Sequence, residues 1–327
     1  MERQSIGAKA GAEKPQARHL TVDAESAGQR LDNFLLRVLK GVPKTHVYRV
    51  IRSGEVRVNK GRAGADTRVA EGDDIRLPPV RMADKSHEPP APAREFPLLL
   101  EDEHLLAIAK PAGVAVHGGS GVSFGVIEQL RQARPGAKYL ELVHRLDKET
   151  SGVLLLAKKR SALVALQDQF RARDTGKKYA ALVFGAWPQK LKVIDLALHK
   201  SSDEAGERNV RVVAADHADG RRSITLVKVA QRFAQHTLLD VTLKTGRTHQ
   251  IRVHLASSGH PIVGDPKYGD FAHNKAFAKD RGFGRMFLHA TELAFDHPAT
   301  GVRIALRAPL PPECQALLAR LGDTCMP

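Results

Sequence analysis

Apolar positions first mark a short amphipathic helix: between Arg30 and Leu39, the residues Leu31, Phe34, Leu35, Val38 and Leu39 recur at helical spacing. A second helix follows Pro43, which suits a first turn; Val47, Val50 and Ile51 form its buried stripe, and Gly54 can close it in the left-handed conformation. His46, Arg49 and Arg52 then face solvent. VRVN alternates toward a turn at Asn59, Lys60 and Gly61, and AEGDDIRLPP reads as a later strand entered through a tight turn. Residues 81–96 are rich in proline, alanine and charge and lack apolar periodicity, as expected of a linker. From Phe96 onward, LLAIA, VLLLA, YAALVFG, TLLDVTLK and IRVHL read as strands, with helices at Gly125 to Ala133 and Ala162 to Ala172. The expected fold is α+β: a small helix-helix-β domain over 18–80, and a domain over 97–327 built on a mixed, largely antiparallel sheet. Residues 1–17, small, polar and charged, read as a disordered tail without a signal-peptide core.

Composition narrows the partners. Lysine and arginine number 51 against 36 aspartate and glutamate, a formal charge of +15, which points to a polyanion such as RNA, DNA or an anionic membrane surface. The best local apolar run, Val153 to Ala157, falls far short of the roughly 20 residues a membrane span needs, so a soluble protein with no membrane partner is expected. Only Cys314 and Cys325 occur, which excludes a disulfide framework and a thiolate zinc site and fits a reducing cytoplasm. Aromatic residues make up 5% of the chain, too few for a stacking platform spread along a single strand.

His144, Arg145, Leu146 and Asp147 lie between one apolar segment and VLLLA, with Thr150, Ser151 and Gly152 marking a turn. Asp147 therefore sits on a loop at the mouth of a strand, where scaffolds place reactive groups, although an aspartate before a turn is also an ordinary capping residue. His249, His254 and His260 invite a metal reading; their spacing is not that of a helical ligand pair and no thiolate or carboxylate completes a set, so no metal is expected. GGSG at Gly118 to Gly121 lacks the GKS or GKT ending of a phosphate-binding loop, and no cofactor is implied.

HRLDKETSGVLLLAK, then KKYAALVFG, then TGRTHQIRVHLASSGHPIVGDPKYG resemble, in that order, the motifs of the RluA family of pseudouridine synthases. The run QRLDNFLLRVLKGVPKTHVYRVIRSGEVRVNKGR with its GDDIRLP ending resembles the S4 RNA-binding domain. HGGSGVSFGVIEQLR from His117, together with the S4 module, brings the chain nearest to the members acting on large-subunit (23S) ribosomal RNA, with transfer RNA as the rival substrate. The resemblance implies an isomerase that breaks the N1 to C1′ bond of uridine, turns the uracil, and joins C5 to C1′. Asp147 would be the catalytic carboxylate, as nucleophile or as base at C2′. A desolvated carboxylate needs a cation to stay ionised, and Arg247 is expected beside it. Tyr179 would be catalytic, its ring stacking on the uracil and its hydroxyl helping to remove the C5 proton after rejoining, the alternative being a core tyrosine; Leu288 would supply an apolar wall. Arg145 would meet the flipped nucleotide, and His144 would serve either loop structure or RNA contact. In the S4 module Arg30, Arg49, Arg52, Arg57, Lys60 and Arg62 would face RNA, the bland alternative being a solvated basic face. Two other classes compete: a ribosome-associated binding protein without catalysis, and a glycosidase, which would want paired carboxylates. A monomer is expected.

Overall fold

A computed structural model describes residues 17–24, 26–39, 41–80, 90–118, 124–202 and 208–323. The expected tail, most of the linker, most of the GGSG segment and Cys325 lie outside the described residues. Contacts divide the chain into two units, 1–90 and 91–327.

The smaller unit runs β1 (Arg18–Thr21), α1 (Leu31–Val38), α2 (Lys44–Arg52), β2 (Arg57–Val58), β3 (Gly61–Arg62) and β4 (Asp74–Leu77), with sheet order β1-β4-β2-β3. Leu31, Phe34 and Leu35 of α1 and Val47, Val50 and Ile51 of α2 are the buried stripes the spacing predicts, and they pack with Val56 and Ile75 into one core. Gly54 adopts φ 74, so the chain can turn out of α2 without the steric cost a Cβ brings there.

The larger unit runs β5 (Leu98–Glu101), β6 (Leu105–Lys110), α3 (Val126–Ala133), β7 (Glu141–Leu142), β8 (Ser151–Ala157), α4 (Arg160–Ala172), β9 (Gly176–Phe184), β10 (Val193–Ser202), β11 (Arg208–Val213), β12 (Arg221–Arg232), β13 (His236–Leu243), α5 (Gln250–Ser257), α6 (Phe271–Arg281), β14 (Leu288–Asp296), β15 (Arg303–Arg307) and α7 (Pro312–Asp323). Its sheet has the order β11-β10-β12-β13-β9-β14-β8-β6-β5, with β15 on β14 and β7 on β8. The one parallel pairing is β14 with β8; the others are antiparallel. The sheet is therefore mixed and largely antiparallel, and the fold is α+β.

β6 and β8 are apolar at successive positions because both of their faces are covered. Leu106, Ile108, Leu154 and Leu156 meet Val126, Ile127 and Leu130 of α3. Leu105, Ala107, Val153 and Leu155 meet Ala162 and Leu166 of α4 on the other side. At the head of β8, Gly152 (φ 119) lies so near β14 that a Cβ there would stand 2.2 Å from the Ala290 carbonyl oxygen. This glycine lets the loop before β8 and the start of β14 share one end of the sheet.

Two expectations need correction. IRVHL is helical, not a strand: it lies in α5, where Gln250 through Leu255 are all buried. Ile251, Val253 and Leu255 alternate as in a strand, but the Gln250 amide anchors the first turn. Its Oε1 accepts from the Thr245 hydroxyl (2.8 Å) and the Arg247 N–H (3.0 Å), while its Nε2 donates to the Ile224 carbonyl (3.1 Å) and Thr225 (3.0 Å). Tertiary contacts override the β-branched propensity. The linker also ends earlier than 96, because Phe96 is buried in the core around α3 and the Arg94 N–H donates to Gln129 O at 3.3 Å.

Candidate active site

The loop between β7 and β8 places Asp147 at the wall of a cavity of about 400 Å³. Two ties hold this loop. The Thr150 N–H closes a turn on the Asp147 carbonyl at 3.1 Å. Lys110, at the end of β6 and only 1% exposed, donates from Nζ to the carbonyls of Pro111 (2.8 Å), Val114 (2.7 Å) and Lys148 (3.1 Å). Burial pushes the Lys110 ammonium down to about 7, against the pull of Glu149 and Asp147. The sequence pattern marks Lys110 only as the last residue of a strand.

Arg252, not Arg247, is the cation at Asp147. Its Nη1 donates to Asp147 Oδ2 at 3.2 Å, and the rest of its guanidinium forms a two-pronged bond to Asp265, Nε to Oδ2 and Nη2 to Oδ1, each 2.8 Å. Burial opposes the charge on Arg252, and Asp265 and Asp147 together outweigh it, raising its pKa above the ordinary value. Burial likewise opposes the charge on Asp265, yet Arg252 and the N–H groups of Tyr268 and Lys267 hold its carboxyl below the usual range. Arg252 is displaced from the expected position because the segment is a helix. His249, its N-cap in the left-handed conformation (φ 51), and Arg252 one turn on lie on the same side of α5, toward Asp147. The resemblance implied Arg247 for this place; the helical path of α5 brings Arg252 there instead. Arg247 is exposed and lines the same cavity.

The other expected residues converge here, each from a different element. Tyr179 of β9 lines the cavity, its phenol pushed up in pKa by burial and then by the charge on Asp147. Leu288, the first residue of β14 and 4% exposed, forms the apolar wall. Arg145 is exposed at the rim. His144 lines the cavity but its polar edge is committed: Nε2 accepts from the Leu155 N–H at 3.1 Å, and the ring stacks on Phe170. Burial and the nearby Lys177 charge push it down to about 4, so it is a neutral structural piece of the loop at neutral pH. Lys177 and His249, which the motifs did not single out as site residues, also line the cavity; His249 Nε2 stands 3.9 Å from Asp147 Oδ1 and its Nδ1 2.8 Å from the Tyr268 hydroxyl.

In the smaller unit the basic set divides. Arg30 is taken by Asp32 (3.2 and 2.8 Å), Arg62 donates to the Ser53 carbonyl that ends α2 (3.0 Å), Arg49 pairs with Glu55 (3.3 Å), and Arg52 reaches the Tyr48 carbonyl (3.4 Å). Arg57 and Lys60 have no side-chain partner among the described residues. The three histidines considered as ligands form no group among the described residues; His199, His217 and Asp219 do, with potential ligand atoms within 4.8 Å of one another. Among the described residues no helix is long and apolar enough to cross a membrane.

Residues 104–257 match the family described as RNA pseudouridylate synthase, and residues 29–75 match the S4 domain. Ribosomal large subunit pseudouridine synthase C of Pasteurella multocida (strain Pm70) is 48% identical over 310 residues, 93% of this chain and 94% of its own. The protein of that name from Escherichia coli (strain K12) is 47% identical over 318 residues, 95% of this chain and 98% of its own. Among solved structures, human RNA pseudouridylate synthase domain containing 4 superposes with a TM-score of 0.57 at 28% identity, covering 69% of this chain and 93% of that one. Human RNA pseudouridylate synthase domain containing 1 gives 0.56 at 25% identity, over 73% of this chain and 98% of its own. Near-half identity carried across almost the whole length, on a fold shared with solved members, establishes that the chain belongs to the family of RNA pseudouridine synthases.

Proposed function

We propose that the protein isomerises uridines of large-subunit (23S) ribosomal RNA to pseudouridine, with Asp147 as the catalytic carboxylate. The observation that carries this reading is the arrangement of that carboxylate, 28% exposed, fixed through Oδ2 by Arg252 and facing a cavity shared with the Tyr179 ring. Oδ1 is left to act at the sugar, by adding to C1′ or by taking the C2′ proton. The uracil departs with the N1–C1′ electron pair, turns, and forms the C5–C1′ bond; C5 then loses its proton and N1 gains one. Tyr179 and Leu288 hold the detached ring while it turns, and Arg145 at the rim meets the RNA from which the uridine was drawn, a step costing a few kcal/mol. Asp147, Arg252, Tyr179, Leu288 and Arg145, to which these roles are assigned, all line the one cavity.

A hydrolase that let water capture the sugar would pair two carboxylates across the bond. Among the described residues Asp147 is the only carboxylate lining the cavity. Relatives named for the large ribosomal subunit, together with the S4 match and a formal charge of +15, support ribosomal RNA as substrate and the cytoplasm as the place of action. Of the six S4 cations expected to face RNA, Arg57 and Lys60 are the two without a side-chain partner among the described residues. Large-subunit RNA carrying tritium at uridine C5 tests the proposal, because C–C bond formation displaces that hydrogen. Wild type should release tritium and Asp147→Asn should not; no release by wild type from this RNA overturns the reading.

A further inference from the structure

Arg247 and Thr248 have a second neighbour besides the cavity of Asp147. They also line a separate cavity of about 330 Å³, whose other walls include His199 and Lys200 of β10, Val210 of β11, Asp219 in the turn after β11, and Arg221 at the head of β12. The two cavities thus meet at Arg247. Lys200, Arg221 and Arg247 are all exposed, and among the described residues none of the three is engaged in an ion pair. His199, half-buried, lies on the same wall, with its Nδ1 shielded from solvent. Asp219 adds an exposed carboxylate at the same wall.

Free cations against a concave wall suit phosphate; an exposed acceptor carboxylate suits the donor edge of a base. RNA supplies both at the right connectivity, since the sugar held at Asp147 is followed by a phosphate and then by the next base. We propose that this second cavity seats the nucleotide adjacent to the target uridine, with Arg247 on the phosphate between them, Lys200 and Arg221 completing the anionic seat, and Asp219 reading the base. This rests on the isomerase reading above. It gives Arg247 a task in binding the substrate strand in place of the pairing with Asp147. It also sets a preference: a carboxylate only accepts, so Asp219 favours adenine, cytosine or guanine, whose amino groups donate, over uracil. The one edge donor of uracil, N3–H, lies between two carbonyl oxygens that the carboxylate repels. The same His199, His217 and Asp219 could be imagined around a divalent cation. Three cationic side chains on the cavity wall oppose that, and His217 Nδ1 already accepts the Asp219 N–H at 3.1 Å.

The test uses the full chain and tritium release from large-subunit RNA, comparing wild type with Lys200→Ala/Arg221→Ala and with a charge-matched control on α6, Lys275→Ala/Lys279→Ala. The cavity variant should keep kcat and raise KM about tenfold, and its plot of log KM against log salt should be shallower by about 0.7 for each phosphate that the variant no longer neutralises. The control should match wild type. In a second arm, RNA oligonucleotides with one labelled uridine and varied neighbours should show wild type disfavouring uracil beside the target, a bias that Asp219→Asn loses. Turnover by wild type with KM, salt slope and neighbour preference unchanged in the cavity variants overturns the subsite while leaving the isomerase reading intact. No tritium release by wild type removes the isomerase reading itself.

Discussion

Replacing Arg252 separates what holds the site together from what makes it work. In Arg252→Gln, Asp265 loses both charge-assisted bonds of 2.8 Å and keeps only the N–H groups of Lys267 (2.8 Å) and Tyr268 (3.0 Å). Asp265 is 1% exposed, so its charge is stranded where water cannot reach it. Breaking one side of such a buried pair costs about 3–5 kcal/mol, and the two remaining backbone bonds place this case near the lower end. Adding Asp265→Asn removes the stranded charge, so the double variant should recover most of that loss. It should not recover activity, because Asp147 still lacks the cation that fixes Oδ2; a misplaced reacting group costs about 100-fold in rate. Trp187, the one tryptophan of the chain and 2% exposed, lies in the same core as Ile251 and Leu255 of α5. Its fluorescence during urea unfolding therefore follows the unit that carries the site. Tritium release reports activity. A single variant within about 1 kcal/mol of wild type would refute the stranded-charge argument, and a double variant with wild-type turnover would refute the role of Arg252 at Asp147. The sign of the pH effect follows from Asp265. Its folded carboxyl lies below the usual range, so the stabilisation is present above the ordinary carboxylate pKa of about 3.9 and is lost as pH falls below it.

Lys110 should give a slope of the same sign in a higher pH window. Its folded ammonium sits at about 7, below the ordinary lysine value, so between the two the unfolded chain binds more protons and stability rises with pH, by at most about 1.4 kcal/mol per unit. Urea unfolding of wild type and Lys110→Met from pH 7 to 10 should show the slope in the first and its loss in the second; equal slopes would remove Lys110 as its source. Gly152→Ala should lower Tm and turnover together. It places a Cβ 2.2 Å from the Ala290 carbonyl at φ 119, adding about 1–3 kcal/mol of backbone strain to the clash, and an unchanged Tm would show that β8 and β14 do not need that closeness.

The paired helices of the smaller unit were legible because each is amphipathic: Leu31, Phe34 and Leu35, then Val47, Val50 and Ile51, keep one face apolar over two turns, and spacing alone names the buried side. The strands β6 and β8 were legible for the opposite reason, being apolar throughout and bounded by turns. α5 was misread because Ile251, Val253 and Leu255 alternate while the polar residues between them are buried as well. Periodicity carries no helical signal when every face is covered.

The resemblance named Asp147 and Tyr179 through local motifs, and Leu288 in FLHA, and the fold brings all three to one cavity. Which cation meets Asp147 is a different kind of question. Arg247 and Arg252 stand five residues apart in one motif, and only the helical path of α5, pinned by Gln250 to β12, brings the second to 3.2 Å and leaves the first at the cavity edge. The same holds for the basic S4 residues. Sequence marks Arg30 and Arg62 as cations like Arg57 and Lys60, yet the fold gives the first two to Asp32 and to the Ser53 carbonyl that ends α2. Sequence determined which chemical groups the protein owns and which short segments carry them. The tertiary structure decided which of those charges are spent on one another, because an ion pair or a hydrogen bond depends on a few ångströms across elements far apart in the chain.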